Sequence, residues 1–217
     1  KYLKSILSND KINFVDDIKF YENIKLKILN ASHSALAYIG HLLGYVYVDE
    51  AINDQICYNF ISNFLDKEVI PTISLKNNFD INEFKNKVLE RFKNSFIEDK
   101  LLRIAMDGSY KIPIRIIETL NINNGKTEHI DLIITAWLIF IEDRLKISHL
   151  ELKDPNNELF MKFYKDNKNN YIKKILELKN IFNISEDKKT RLLKNILKKI
   201  KYIKKNSLKK LISQICK

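Results

Sequence analysis

The sequence predicts a mainly α-helical fold, and two observations support this class. Its 217 residues include only four glycines and three prolines, so residues that commonly interrupt helices are scarce. Apolar side chains make up 45% of the chain and recur mostly at three- and four-residue steps, which gives a helix one apolar face. No segment repeats itself at a period of roughly 20 to 50 residues, which argues against a solenoid. We therefore expect a multi-helical domain with its own core and no nucleotide-binding sheet.

The helical segments follow one another in a simple order. An extended lead-in occupies residues 1–15, and the helical domain covers residues 16–217. The first helix is predicted from its apolar spacing and runs from about Phe20 to Gly44. Later breaks fall at EVIPTIS, NINNGK and LKDPNN, which carry proline, glycine or asparagine turn chemistry. The predicted helices cover residues 20–44, 49–67, 81–92, 97–106, 113–120, 129–143, 156–165, 170–182 and 188–216.

The net charge of +11 comes from the end of the chain. Residues 188–217 hold 12 Lys or Arg and no acid, which leaves 26 basic against 27 acidic side chains before them. Apolar residues in this tail recur at helical spacing, so we expect an amphipathic helix that docks one face and exposes its lysines. The apolar stripe consists of Leu193, Ile196, Leu197, Ile200, Ile203, Leu208 and Leu211. Because Tyr202 is the only aromatic residue in residues 188–217, we expect neither nucleic-acid nor membrane-surface binding.

The sequence gives no support for a membrane-spanning, secreted, metal-binding or nucleotide-binding protein. No window is long and apolar enough for a membrane span, and the start lacks the apolar core of a signal peptide, so a cytoplasmic protein is expected. Cys57 and Cys216 lie far apart without metal-ligand spacing and are expected to be free thiols, with no metal site. Glycine-rich nucleotide loops, phosphate loops and serine nucleophile elbows are missing from these residues.

One stretch places polar residues inside an apolar helical pattern, YENIKLKILNASHSALAYIGHLLGYVYVDEA. At about 100° per residue, Glu22 lies at roughly 60°, His33 at roughly 80° and Asn30 at roughly 140° from Lys25 around the axis. The four side chains therefore share one face, which is either a solvated stripe or a site.

Two blocks of sequence resemble the mannitol dehydrogenase family, the long-chain polyol dehydrogenases that include mannitol 2-dehydrogenase and the fructuronate and tagaturonate reductases. The first block is KLKILNASHSALAYIGHLLGY, between FVDDIKFYENI and VDEAI. The second is LLRIAMDGSYKIPIR, and blocks such as LDKEVIPTI and TAWLIFIEDRL fall in the expected order. The likeness covers roughly residues 13–182 and concerns only the C-terminal, mostly helical substrate domain of the family.

The resemblance implies a set of roles for the residues in these blocks. Lys25 would be the general acid and base, with Asn30 as a hydrogen-bond donor to the reacting oxygen and His33 as a substrate ligand. Glu22 would pass the proton to water, and Arg103 and Lys111 would bind a polyol or sugar-acid substrate. NAD or NADP would be bound mainly by an N-terminal nucleotide-binding domain absent from this chain, so the isolated chain is expected to be inactive. An asparagine from that domain has no counterpart here, and no metal is required.

Simpler interpretations remain open for each of these residues. Lys25 could be a surface lysine or form an ion pair with Glu22, and His33 could be a hydrogen-bonded core residue. Arg103 could cap a helix, and Lys111 could be structural. The domain as a whole could instead be a non-catalytic helical interaction module that uses the basic tail as its contact surface. Arg115, which could meet a carboxylate, slightly favours a sugar acid over a sugar alcohol.

Overall fold

A computed structural model describes residues 15, 17–75, 79–147 and 150–217, and these residues form a helical domain. No sheet forms among them; the only strand-like pairing in these ranges is an isolated antiparallel bridge between Tyr47 and Lys100. The predicted lead-in lies outside the described residues except for residue 15. The α-helices are α1 Ile18–Ile24, α2 Ala31–Leu42, α3 Val48–Asn53, α4 Gln55–Phe64, α5 Ile81–Phe92, α6 Leu101–Ala105, α7 Gly108–Ile112, α8 Glu118–Ile122, α9 Glu128–Lys146, α10 Asn157–Asp166, α11 Tyr171–Leu176, α12 Glu186–Lys205 and α13 Leu208–Ile215.

The first predicted helix is continuous but not uniform. Helix α1 begins behind Asp17, whose carboxylate accepts a hydrogen bond from the Phe20 N–H at 3.2 Å. A π-helical turn, Lys25–Asn30, joins α1 to α2 without a break. The chain then leaves the helix at Gly44, whose φ of +94° lies in the left-handed region that glycine adopts without strain. The predicted extent was close, whereas the π turn was not predicted.

The single helix predicted over residues 49–67 is wrong. Asp54 adopts an extended conformation and separates α3 from α4. Its carboxylate accepts hydrogen bonds from the N–H groups of Ile56 at 2.7 Å and Cys57 at 3.1 Å, and so caps α4. Helix α4 continues into a second π turn, Leu65–Val69, and a short 3₁₀ turn, Ile70–Thr72.

The next predicted helices are shorter or displaced. The 3₁₀ turn Ser95–Ile97 ends where the helix predicted over 97–106 was expected to begin, and that segment contains only the short α6. Asp107, with φ +56°, then turns the chain into α7. Helical structure therefore begins five residues before the helix predicted over 113–120. Gly108 is required there, because a Cβ atom would lie 2.4 Å from Trp137 Nε1. A third π turn, Pro113–Ile117, connects α7 to α8.

Helix α9 forms the centre of the core and is buried along most of its length. Helix α2 packs against one side of it and α12 against another, while α6 packs on α2. The first π turn contributes Lys27, Ile28 and Leu29 to the core, and the N-terminal half of α2 is buried except for His33, which is partly exposed. The segment predicted as helix over 170–182 contains only the short α11.

The basic tail docks an apolar face as predicted, with three corrections. It breaks at Asn206, and Ser207 caps the separate helix α13 by accepting a hydrogen bond from the Lys210 N–H. Leu197 is 49% exposed and does not belong to the docked face. Lys199 is buried and pairs with Glu128, so not every lysine of the tail faces water.

None of the helices in the described ranges combines the length and apolarity that crossing a bilayer requires. The same residues contain no group of three or more histidine, cysteine or carboxylate side chains placed to hold a metal ion.

Candidate active site

Three π-helical turns meet beside the predicted site. The turn Lys25–Asn30 packs against both Pro113–Ile117 and Leu65–Val69. Such turns hold one residue more than an α-helical turn; they are rare, and they occur frequently at functional sites. The region of the predicted catalytic lysine therefore has an unusual backbone whose presence helical periodicity alone does not reveal.

The structure places Lys25 and Glu22 at the surface. Both side chains are exposed, and no ion pair joins these two described residues. Within the described part of the chain, the Lys25 amine forms no hydrogen bond or ion pair. The described neighbours therefore do not bury this amine among apolar side chains, and they leave it free to meet a ligand.

Lys27, which the sequence analysis did not consider, is buried instead. Two residues along a helix correspond to about 200°, so Lys27 lies opposite Lys25 and faces the core. Its Nζ donates a hydrogen bond to the Thr72 carbonyl at 3.2 Å. Burial lowers the pKa of Lys27, and the charge of Glu118 offsets part of that shift. This amine joins the first π turn to the chain that follows the second one, which is a structural role.

Arg115 fixes the end of the first π turn. Its Nη1 donates hydrogen bonds to Ser34 Oγ at 3.1 Å and, at 3.4 Å, to the backbone carbonyl of Asn30. Its buried Nε has no hydrogen-bond partner in the described structure. Asn30 itself is half-buried, so its side chain sits between the core and the surface. Arg115 thus positions Asn30, a role that the sequence analysis did not assign to it.

His33 lies in a partly buried position close to this contact. Its ring centroid is 4.4 Å from that of Phe92. Burial lowers the pKa of His33 to about 4; Asp99 opposes the shift, and Arg115 and other arginines add to it. His33 and Asp99 line a cleft of about 20 Å³, which holds about one water molecule. The imidazole is therefore neutral at neutral pH and has water access along a narrow opening.

Arg103 and Lys111 lie close to this region but are already engaged. Arg103 is exposed and pairs with Asp99. Lys111 is partly buried, and its Nζ donates a hydrogen bond to the Ile104 carbonyl at 3.1 Å. This bond gives a partner to a carbonyl group in the last turn of α6, where the helix itself supplies none. Burial lowers the pKa of Lys111, and the charge of Arg115 adds to this shift. The charges of Arg103 and Lys111 make the site electropositive. The hydrogen bond from Lys111 to the Ile104 carbonyl supports the simpler, structural interpretation of Lys111.

Asp154 is a further supporting residue that the sequence analysis treated only as part of a turn. Its two carboxylate oxygens accept hydrogen bonds from the Ser109 N–H at 2.8 Å and the Ser109 hydroxyl at 2.6 Å. These bonds hold the start of α7, the helix that carries Lys111. A carboxylate before proline looks like loop chemistry in the sequence, so only the tertiary contact reveals this role.

The family model described as the mannitol dehydrogenase C-terminal domain matches residues 17–204. Mannitol dehydrogenase 2 of Saccharomyces cerevisiae is 33% identical over 149 residues, which cover 66% of this chain and 30% of the yeast protein. D-mannonate oxidoreductase of Escherichia coli is 32% identical over 138 residues, which cover 61% of this chain and 28% of that protein.

A solved structure has the same fold. The ternary complex of Pseudomonas fluorescens mannitol 2-dehydrogenase with NAD and D-mannitol superimposes with a TM-score of 0.83 at 26% identity. The match covers 94% of this chain and 42% of that protein. The chain therefore spans less than half the length of each of these relatives.

Proposed function

Because the chain belongs to the mannitol dehydrogenase family as its C-terminal domain, we propose that it supplies the substrate-binding and acid–base half of an oxidoreductase. The reaction interconverts a polyol or sugar acid with its keto form by hydride transfer. NAD or NADP, held mainly by a nucleotide-binding domain, supplies the hydride acceptor. The described residues offer no nucleotide cradle of their own, but they present an unpaired amine of the kind that acid–base chemistry beside such a cofactor needs.

The observation that carries this proposal is the free amine of Lys25 on the π turn that ends at Asn30. Oxidation of a secondary alcohol requires a base that removes the hydroxyl proton as the hydride leaves, and reduction returns that proton. A lysine amine performs both steps if docking of a second domain removes water from it, because desolvation favours the neutral amine. Glu22, exposed one turn earlier, would pass the proton on to water.

Asn30 and His33 take the neighbouring roles in this proposal. The Asn30 side-chain amide would donate a hydrogen bond to the oxygen as negative charge develops on it. Arg115 acts through Asn30 as a positioning residue, since it holds the Asn30 carbonyl. His33 is neutral at neutral pH, so it would orient a substrate hydroxyl by hydrogen bonding and not by charge.

The substrate class follows from the electropositive surroundings. The charges of Arg115, Arg91 and Arg103 act on His33, and those of Arg115 and Arg103 act on Lys111. This positive charge would suit a polyhydroxylated or carboxylated molecule. The likeness to a mannonate oxidoreductase supports the sugar-acid branch, and the likeness to mannitol dehydrogenases supports the sugar alcohols. Turnover of mannitol, arabinitol, mannonate and altronate by the complete protein would separate the two classes.

The central test is the substitution Lys25→Ala in the complete protein, nucleotide-binding domain included. We expect kcat to fall by about two to four orders of magnitude, as is usual for a lost general base, with cofactor affinity unchanged. Lys19→Ala is the matched control, because Lys19 is an exposed lysine on the same helix, and it should leave kcat unchanged.

The pH profile gives a second measurement of the same role. Oxidation uses the neutral amine, so its rate should rise with pH, whereas reduction uses the ammonium form and should fall. Both dependences should disappear in Lys25→Ala. Near-native turnover with an unchanged pH profile would show that Lys25 is a surface lysine only.

A further inference from the structure

A large cavity lies at the start of α9, away from the proposed active site. Its volume is about 640 Å³, which is within the usual range of small-molecule sites in proteins. The second π turn, the loop before α9 and the tail helices α12 and α13 supply its walls. It shares no lining residue with the cleft beside His33, and none of the site residues predicted from the sequence lines it. The cavity is therefore a separate candidate site.

Three exposed lysines from separate segments line this cavity. Lys67 belongs to the second π turn, Lys126 to the loop before α9, and Lys198 to α12. Within the described part of the chain, none of these three amines forms an ion pair or a hydrogen bond. The folded chain thus brings together three cations that are distant in sequence without giving any of them a partner.

The acidic side chains of the cavity are engaged elsewhere and do not pair with these lysines. Glu128 accepts a hydrogen bond from the buried amine of Lys199. The Glu68 carboxylate accepts hydrogen bonds from the N–H groups of His129 at 2.7 Å and Ile130 at 2.9 Å. Four lysines and two glutamates line the cavity in all, which gives a net charge of +2 before any charge on His129.

This charge favours a negatively charged ligand, and the type of cation favours phosphate. Like charges around a concave surface repel one another, and the low-dielectric walls concentrate their field, which attracts an anion. Lysine commonly binds phosphate as a point charge, whereas the planar fork of arginine matches a carboxylate. Among the described residues that line the cavity, none is an arginine. Half-buried Tyr202 and buried Leu211 add apolar surface for the organic part of a ligand.

We propose that this cavity binds a phosphate group of a small organic molecule through Lys67, Lys126 and Lys198. The three amines donate charge-assisted hydrogen bonds to the phosphate oxygens. Lys199 keeps its structural role, because its amine already pairs with Glu128. The binding is independent of the proposed hydride transfer, since it uses none of the residues assigned to that reaction.

The experiment titrates inorganic pyrophosphate, as a probe for the phosphate group, into the full chain by calorimetry at low ionic strength. We expect one saturable site. Lys67→Ala, Lys126→Ala and Lys198→Ala should each weaken binding by about tenfold or more, because each removes a charge-assisted hydrogen bond. Lys198→Arg keeps the charge and should retain most of the affinity. Lys201→Ala is the matched control, since Lys201 is exposed on the same helix without lining the cavity, and it should bind as the wild type does.

Thermal unfolding gives a second readout. Pyrophosphate should raise the Tm of the wild type and of Lys201→Ala more than that of Lys198→Ala, because a ligand that binds only the folded chain stabilises it. The proposal is overturned if no saturable binding is found up to about 10 mM pyrophosphate. Equal losses in Lys198→Ala and Lys201→Ala would also overturn it, since they would show a general attraction to the basic tail. Tighter binding of citrate, a carboxylate of similar charge, would refute the choice of phosphate.

Discussion

Protonation of His33 should make the domain less stable in acid by an amount that the structure predicts. The folded state lowers the pKa of His33 to about 4 from an ordinary value of 6.5. As pH falls, the unfolded chain therefore binds a proton before the folded one, and stability is lost between these two values. The difference of about 2.5 units, at about 1.4 kcal/mol each, corresponds to about 3 kcal/mol at pH 4, with about half of it lost near pH 5.5.

The absolute stability curve does not isolate this effect, because Asp131 works in the opposite direction. Burial raises the pKa of Asp131 to about 6, so its folded form takes up a proton first and gains stability as pH falls. The informative quantity is the difference between the wild type and His33→Asn, in which the contribution of Asp131 cancels. Asn keeps a polar side chain of similar reach but does not titrate.

The assay is urea-induced unfolding of both proteins at about pH 7, 5.5 and 4, with the free energy extrapolated to water. We expect the wild type to lose about 3 kcal/mol relative to the variant over this range. That value is an upper limit, since the partly exposed ring keeps some of its hydration in the folded state. A difference that stays constant across the three pH values would refute the buried, neutral state of His33.

Two further predictions concern packing in the core. In Gly108→Ala the new Cβ would lie 2.4 Å from Trp137 Nε1 and 2.7 Å from Tyr38 Oη, so we expect a loss of about 1 to 3 kcal/mol in urea unfolding. An effect below about 0.5 kcal/mol would show that α7 shifts freely. Ile196→Ala, at a fully buried position, should cost about 2 to 4 kcal/mol, whereas Leu197→Ala, 49% exposed, should cost less than about 0.5. Equal effects at the two positions would contradict the docking of α12 through this face.

The sequence predicted the fold class well because scarce breakers and helical spacing are properties of the chain itself. It was less successful at the boundaries between helices. Asp54 was read as an interior helical residue, although its carboxylate ends one helix and caps the next. Similarly, Asn206 and Ser207 divide a tail that was predicted as one helix, at the point where the apolar step widens to five residues between Ile203 and Leu208. Capping depends on which N–H groups a side chain reaches, and apolar spacing does not encode that.

The candidate site was predictable as a set of residue types but not as an arrangement. The polar face around Lys25 was visible in the sequence, and the resemblance assigned roles to its members, which remain predictions. The sequence could not show that Arg115 holds the Asn30 carbonyl, since 85 residues separate the two. Nor could it show that the Lys111 amine donates a hydrogen bond to the Ile104 carbonyl, because that contact depends on how α6 ends.

The π turn Lys25–Asn30 also bears on how the length of this helix can change during evolution. Because the turn holds one residue more than an α-helical turn over about the same rotation, deletion of that residue would restore an ordinary α-helix and leave α1 facing the core as before. Phe20 and Ile24 would stay buried. A deletion in α1 between these two residues would instead rotate Phe20 by about 100° out of the core, so the π turn is the place where this helix can lose a residue without disturbing its packing.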